Sequence, residues 1–393
     1  MAITIAGGVY FERCLTPARS ALLGSAGRAA AALSSLSDRV TLHSFHPAER
    51  ALDAHYALSA YGVEAIFYPS TAVVGFEYLH PMSSPRISPV PLPVAGTVAV
   101  EGEVVLRFGC LEGDFRICGR RAVYDPQSGS APAPFSQNGS KAETLALVLN
   151  RGEATLLTSE DDPGRAALAL GKSDRADVIV IKMGAAGALV FQGGQQWQVP
   201  AYQANAVDKV GSGDVFSATF AHFWGEQGQN AAAAADLASR YTSGYVEDRL
   251  LPLPSIPPEK SPIKPLTKRP KVYLGGPFFT TPQLWMVEEA RSGLLSLGAE
   301  VFSPMHDVGF GPDEMVAKKD LAGLDQCDVM LALLSDSDPG TLFEVGHARA
   351  TGKPVVALVE SPRKQDSTML LGTSCEIVDD LATALYRVVW AAA

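Results

Sequence analysis

The chain of 393 residues has no dense run of lysine and arginine, no CxxC pair and no apolar stretch long enough to span a bilayer. The first absence, together with a net charge of −10, argues against a nucleic-acid backbone as the main partner. It leaves small anionic ligands open, because a local pocket does not need a basic protein. The five cysteines, Cys14, Cys110, Cys118, Cys327 and Cys375, stand apart and read as buried thiols in a reducing compartment. The opening MAITIAGGVYFE lacks a basic start and meets Glu12 too soon for a secretory signal. A cytoplasmic protein with no membrane partner is expected. The chain is also too long for one ordinary hydrophobic core, so two domains are expected.

The boundary is signalled by prolines. In LPLPSIPPEKSPIKPLTKRPK each proline fixes φ and removes an amide donor, so neither helix nor central strand can form. This divides the chain into residues 1–250, a linker over 251–270 and a second domain over 271–393. In the second domain short strands are expected at Lys271–Leu274, Glu300–Ser303, Val329–Leu334 and Pro354–Glu360. Helices are expected after Thr281 as cap with Pro282 at its first position, from about Thr341 to Gly352, and over Leu381–Trp390. This alternation implies a doubly wound open sheet whose site lies beyond the carboxyl ends of its strands. The first domain also reads as α/β. It opens with a strand at Ile3–Gly7 and a helix near Gly27–Leu36. Strands at Val178–Met183 and Ala188–Phe191 flank a glycine turn, and a buried helix covers Ser212–Phe223.

Cleavage at an anomeric carbon needs an ionised carboxylate on one face and a proton donor near the leaving group. The second domain clusters Asp320, Asp325, Asp328, Asp336, Asp338 and Glu344. Glu344 is expected in the first turn of the helix after the apolar strand, where the helix-end potential keeps a carboxylate ionised. Spacing does not single out the acid. His306 and His347 lack a ligand set, so no metal is expected. The runs KVYLGGPFFTTPQ, DLAGLDQCDVMLALL and SDPGTLFEVGHARATGKPVVAL, in this order, resemble the nucleoside 2-deoxyribosyltransferase family. The resemblance implies a small flavodoxin-like domain without cofactor. In it Glu344 attacks C1′, Tyr273 orients Glu344, and Asp320 protonates or positions the base. Gly275, Gly276 and Phe279 would shape the base pocket, and Asp338 would hold the sugar 5′-hydroxyl. A carboxylate there repels phosphate, which favours an unphosphorylated nucleoside; Arg363 or Lys364 of a neighbouring subunit would be the phosphate ligands otherwise.

Phosphoryl transfer to a hydroxyl needs a base and converging backbone amides. VDKVGSGDVFSATF offers both: Gly211, Ser212 and Gly213 as an anion hole at a helix start, and Asp214 beside the acceptor. With GSAGRAAAALSSLSDRVTL, NRGEATLL and VIVIKMGAAGALV in order, the segment resembles the ribokinase-like (PfkB) family. The resemblance implies a ribokinase-like α/β domain using ATP and Mg²⁺, with Asp214 as base. Asn150 and Glu153 would help place Mg²⁺ and phosphate, Lys182 and Gly184 lie in the nucleotide-side turn, and Glu12 grips substrate hydroxyls. Phe76–Pro89 reads as the returning lid or substrate loop. One departure stands out: the family's usual asparagine is replaced around Gly27–Arg28. The whole reads as a bifunctional enzyme acting on nucleosides, nucleobases and sugars, with the family resemblance implying a homo-oligomer. The alternative is a sensor–effector protein whose kinase-like domain binds a nucleoside or nucleotide and regulates an N-glycosidase.

Overall fold

The computed structural model describes residues 2–92, 94–128, 131–266, 268–334, 338–360 and 368–393. They form two compact units, one of Met1–Ala204 with Asp208–Pro262 and one of Asn205–Val207 with Ile263–Ala393. Among the described residues no helix is long and apolar enough to cross a membrane.

The first unit is built on a nine-stranded sheet. Across it run Gln195–Val199, Ala188–Gln192, Val178–Lys182, Lys141–Asn150, Asp114–Asp125, Thr97–Phe108, Ala2–Ala6, Arg39–His46 and Glu64–Pro69. The pairs are parallel except at one end, where Val178–Lys182, Ala188–Gln192 and Gln195–Val199 fold back on each other. Buried on both faces, Val178–Lys182 reads as an unbroken apolar run, as a strand covered by helices must. The helix Gly24–Leu33 is buried along its whole length, which its run of alanines permits by keeping the packing distance short. Ser212–Phe220 is α-helical and gives way to a π-helical turn over Ala221–Glu226, which was expected as continuous helix. Its Glu226 carboxylate is buried and bonds His222 from the same turn and Ser37 from beyond the helix Gly24–Leu33. A separate four-stranded sheet, Arg19–Leu22, Phe11–Cys14, Gly75–Tyr78 and Arg86–Ser88, carries Glu12 and takes up the expected Phe76–Pro89 segment.

The second unit has five parallel strands in the order Glu300–Phe302, Lys271–Gly275, Val329–Leu333, Val355–Leu358 and Glu376–Val378. The order reverses between Lys271–Gly275 and Val329–Leu333. A crevice opens at such a switch point, beyond the carboxyl ends of the two strands. The alternating pleat puts Tyr273, Met330 and Ala332 in one apolar cluster with Leu324, Val345 and Ala348 from the covering helices. Two boundaries differ from expectation. Thr280, not Thr281, is the capping position, and Gln283 accepts from its backbone N–H at 3.1 Å. The next helix starts at Pro339 rather than near Thr341, because Asp338 caps it by accepting from the Thr341 N–H at 2.7 Å and its hydroxyl at 2.8 Å.

Leu331 lies at the centre of this sheet and is fully buried. Leu331→Ala should lower the stability of the second unit by about 2–5 kcal/mol, read from the midpoint and slope of its urea unfolding. A loss below about 1 kcal/mol would mean that the sheet centre is not the core described here.

Candidate functional sites

In the second unit two neighbouring strand ends and one helix bring the site together. Tyr273 is fully buried, stacked on Phe302 with ring centroids 5.6 Å apart, and its hydroxyl donates to Glu344 Oε1 at 2.6 Å. Two residues on, on the same face of the strand, Gly275 lies beneath the other carboxylate oxygen. A Cβ there would stand 2.8 Å from Glu344 Oε2 and 2.7 Å from the Met330 methyl. The missing side chain is therefore what lets the carboxylate reach the strand end. Gly276 has a different role, since a Cβ there would press on Leu333. Phe279 is 70% exposed and packs on Phe278, which in turn meets Phe310 edge-on.

Glu344 is the sixth residue of a helix beginning at Pro339, so it stands in the second turn rather than the first. The helix-end potential fades over the first turn. Burial pushes the Glu344 carboxyl up to about 7; the Tyr273 hydroxyl opposes the rise, and the charges of Asp320 and Asp338 add to it. The carboxyl is thus divided between its acid and ionised forms near neutrality, not held ionised as its expected position implied. Asp320, on the helix Asp313–Asp325, is raised by burial, and its Oδ1 is buried without a hydrogen-bond partner among the described residues. Burial shifts this carboxyl toward its protonated form, the direction a proton donor to a departing group needs. Asp338 spends Oδ2 on the helix cap. Asp336, Arg363 and Lys364 lie outside the described residues. His306 bonds Glu288 and Ser303, and His347 bonds Asp325, as ordinary polar histidines do.

In the first unit the carboxyl ends of three adjacent strands deliver Asp125, Asn150 and Lys182 to one edge. Lys182 pairs with Asp125, which also accepts from Ser217 at 2.6 Å. A Cβ on Gly213 would come within 3.4 Å of Lys182 Nζ, so the ammonium faces the start of the helix Ser212–Phe220. Helix amides and an ammonium together suit a phosphate group. Gly184 opens the turn in which Met183 N–H bonds Gly187 at 2.7 Å. Asn150 and Glu153 are committed to each other. They form a capping box in which each side chain accepts from the other's backbone N–H, at 2.9 and 2.8 Å. Burial and the nearby Asp125 lift the Glu153 carboxyl to about 7. Among the described residues no group of three or more His, Cys, Asp or Glu side chains could hold a metal ion.

Asp214, in the first turn of its helix, is brought to about 6 by burial, with Arg28 and Gln127 acting against the rise. Its Oδ1 accepts from Gln127 Nε2 at 2.6 Å, and its Oδ2 lies 3.7 Å from Arg28 Nη1. Arg28 is fully buried and is also paired with Glu12. Gly211 adopts φ +79°, and a Cβ there would overlap the Arg28 guanidinium. Glu12, Asp214 and Gly211 thus come together, but around an arginine. Gln127, Asp125 and Arg28 were not among the expected site residues. For Arg28 the signal was present: a single charge inside GSAGRAAAAL, where every neighbour is small.

Known proteins support this division. The model for nucleoside 2-deoxyribosyltransferase matches residues 272–378, and that for the pfkB family carbohydrate kinases matches 124–250. The deoxyribokinases of Salmonella typhi and Salmonella typhimurium are each 44% identical to the chain over 55 residues, 14% of this chain. The match spans only 18% of the length of those relatives. A fructokinase from Vibrio cholerae O395, solved in its fructose, ADP and calcium ion bound form, superposes with a TM-score of 0.50 at 14% identity. That superposition covers 63% of this chain and 93% of the fructokinase, and it shows the ribokinase-like fold of the first unit. From N- to C-terminus, then, the chain joins a pfkB-family kinase domain to a nucleoside 2-deoxyribosyltransferase domain.

Proposed function

We propose that the C-terminal centre cleaves or transfers the N-glycosidic bond of (deoxy)nucleosides through a covalent glycosyl–Glu344 intermediate. The observation that carries this reading is the carboxylate itself. One oxygen is held by a buried tyrosine hydroxyl, and the other stands over a glycine at the mouth of a switch-point crevice. In this mechanism Glu344 Oε2 bonds to C1′ as the bond from C1′ to the base nitrogen breaks. Asp320 gives its proton to the departing base. An acceptor base or water then gives its proton to Asp320 as it bonds to C1′, the bond from C1′ to Glu344 breaks, and both carboxyl groups return to their starting states.

For the N-terminal unit two readings divide on one observation. The amides of Gly211 and Gly213 and the ammonium of Lys182 fit nucleotide phosphates, while the Ser212 N–H is spent on the Lys209 carbonyl at 3.0 Å. ATP would supply the transferable phosphate and Mg²⁺ would offset its charge. With Asp214 as base the unit phosphorylates a nucleoside or the sugar released by the other centre, and the short likeness to deoxyribokinases suits a sugar. With its acceptor side closed, the unit binds a nucleoside or nucleotide and governs base release. The engagement of both Asp214 oxygens favours the second reading.

Glu344→Gln keeps the shape and removes the nucleophile, so base release from deoxynucleosides should fall at least ~10³-fold in a folded protein. Base release at a near wild-type rate would remove Glu344 from the mechanism. The pH profile of kcat/KM follows from the raised carboxyl. Only the ionised form attacks, so activity should rise as pH increases through about 7. Tyr273→Phe removes the donor that favours ionisation and should move this acidic limb upward. A limb unmoved, or moved down, would contradict the role of the hydroxyl. Stability has the opposite sign. A raised carboxyl stabilises the fold most below its unfolded value and loses that contribution as pH rises through about 7. Glu344→Gln should therefore gain relative to wild type at pH 8 compared with pH 5, as read by thermal melts.

Substrate choice gives a separate test. We assign Asp338 to the neutral 5′-hydroxyl, since a 5′-phosphate there would meet a like charge. Deoxynucleosides should be cleaved in preference to their 5′-monophosphates. Asp338→Ser keeps a good capping residue and should shift the ratio of kcat/KM values toward the monophosphate. A wild type that prefers the monophosphate would overturn this assignment.

A further inference from the structure

We infer that Arg28 occupies, within the first unit, the place of the phosphoryl acceptor, so that this unit binds nucleotide phosphate without passing it to a neutral sugar hydroxyl. The inference rests on reading Gly211–Asp214 as a phosphoryl-transfer site. A hydroxyl that gives its proton to Asp214 must come within about 3 Å of one of its oxygens. Oδ1 accepts from the Gln127 amide at 2.6 Å, and the Arg28 guanidinium stands in front of Oδ2 in an ion pair at 3.7 Å. Glu12, the other carboxylate that would grip an acceptor, accepts from both Nη atoms of the same guanidinium through one oxygen.

Arg28 is not a side chain resting in an open pocket. It is fully buried, Nε donates to the Tyr245 hydroxyl at 2.8 Å, and Nη1 donates to the Gly24 carbonyl at 3.2 Å. With the Glu12 pair, these bonds tie it to the strand Phe11–Cys14, to its own helix and to the long helix Ala231–Asp248. Burial opposes its charge, but Glu12, Tyr245 and Asp214 outweigh that and hold it protonated. A neutral sugar that displaced it would leave Glu12 and Asp214 without their counter-charge, and would bring no charge to replace it. Gly211 fits the same picture. Any side chain there would collide with the guanidinium, so the loop at the anion hole is shaped around Arg28.

Removing the guanidinium should open the site. In the opened variant the acceptor oxygen bonds to the γ-phosphorus of ATP, the bond from that phosphorus to the ADP oxygen breaks, and the hydroxyl proton passes to Asp214. The test uses the full chain as wild type, Arg28→Asn and Arg28→Lys, with MgATP and either ribose or 2-deoxyribose. Sugar-dependent ADP formation is followed, and binding of a non-hydrolysable ATP analogue with Mg²⁺ is measured by calorimetry. All three proteins should bind the analogue. Wild type and Arg28→Lys should form no more ADP with sugar than without it, whereas Arg28→Asn should exceed its no-sugar control at least tenfold. If Arg28→Asn does not fold, Arg28→Gln carries the same comparison. Sugar-dependent ADP formation by the wild type overturns the inference and leaves the phosphoryl-transfer reading standing. A folded, nucleotide-binding Arg28→Asn or Arg28→Gln without sugar dependence also overturns it. A wild type that binds no nucleotide overturns the phosphoryl-transfer reading and the inference together.

Discussion

A carboxylate can reach the end of a buried strand only if the residue beneath it has no side chain, and the second unit depends on Gly275 for this. Tyr273 and Gly275 share one face of a strand whose neighbour, Val329–Leu333, supplies the floor. The helix from Pro339 then swings Glu344 over that pair, with one oxygen on the tyrosine and one above the glycine. Burial would by itself favour the neutral acid, and the tyrosine hydroxyl recovers part of the ionised form. The result is a carboxyl raised to about 7, with the charge of Asp320 adding to the rise and one Asp320 oxygen buried without a partner among the described residues. Structure and chemistry meet here because the same hydrogen bond positions the group and sets its charge.

The first unit handles charge in the opposite way. There a guanidinium fills the space between two carboxylates and is enclosed by a tyrosine, a carbonyl and a glycine without Cβ. Glu12 is hydrogen-bonded to Arg28, and Asp214 is ion-paired to it while accepting from Gln127. On the other side of the same helix start, Lys182 and Asp125 remain arranged around Gly213. One side of the helix start is thus filled by a guanidinium, while the other carries an ammonium paired with a carboxylate.

Much of this was legible in the sequence. The βαβ rhythm after the prolines placed four of the five strands of the second unit, because parallel strands are short unbroken apolar runs. Glu376–Val378 escaped because three residues after a polar stretch carry no such signal. The long strands Thr97–Phe108 and Asp114–Asp125 also escaped, since charges interrupt their alternation. Linked motifs singled out Glu344 and Tyr273, which the structure joins by a hydrogen bond, but the helix-end argument for an ionised Glu344 does not hold. The true helix start is set by Pro339 and the Asp338 cap, and this moved Glu344 beyond the reach of the helix end. Asn150 and Glu153 showed the reverse problem. Their spacing of three fits a capping box as well as a ligand motif, and the structure uses it as a cap. Arg28 was visible as a departure from pattern, yet its burial between Glu12 and Asp214 depends on three segments distant in sequence.

The covalent role of Glu344 is tested most directly by trapping the sugar on the enzyme. A 2′-fluoro-substituted nucleoside slows both steps by destabilising positive charge at C1′, and the second step can then be observed as an accumulated adduct. After incubation, proteolysis and mass spectrometry should find the mass of one fluorosugar on the peptide carrying Glu344 and none in Glu344→Gln. Base release without any adduct on that peptide, or an adduct that persists in Glu344→Gln, would contradict a glycosyl–Glu344 intermediate.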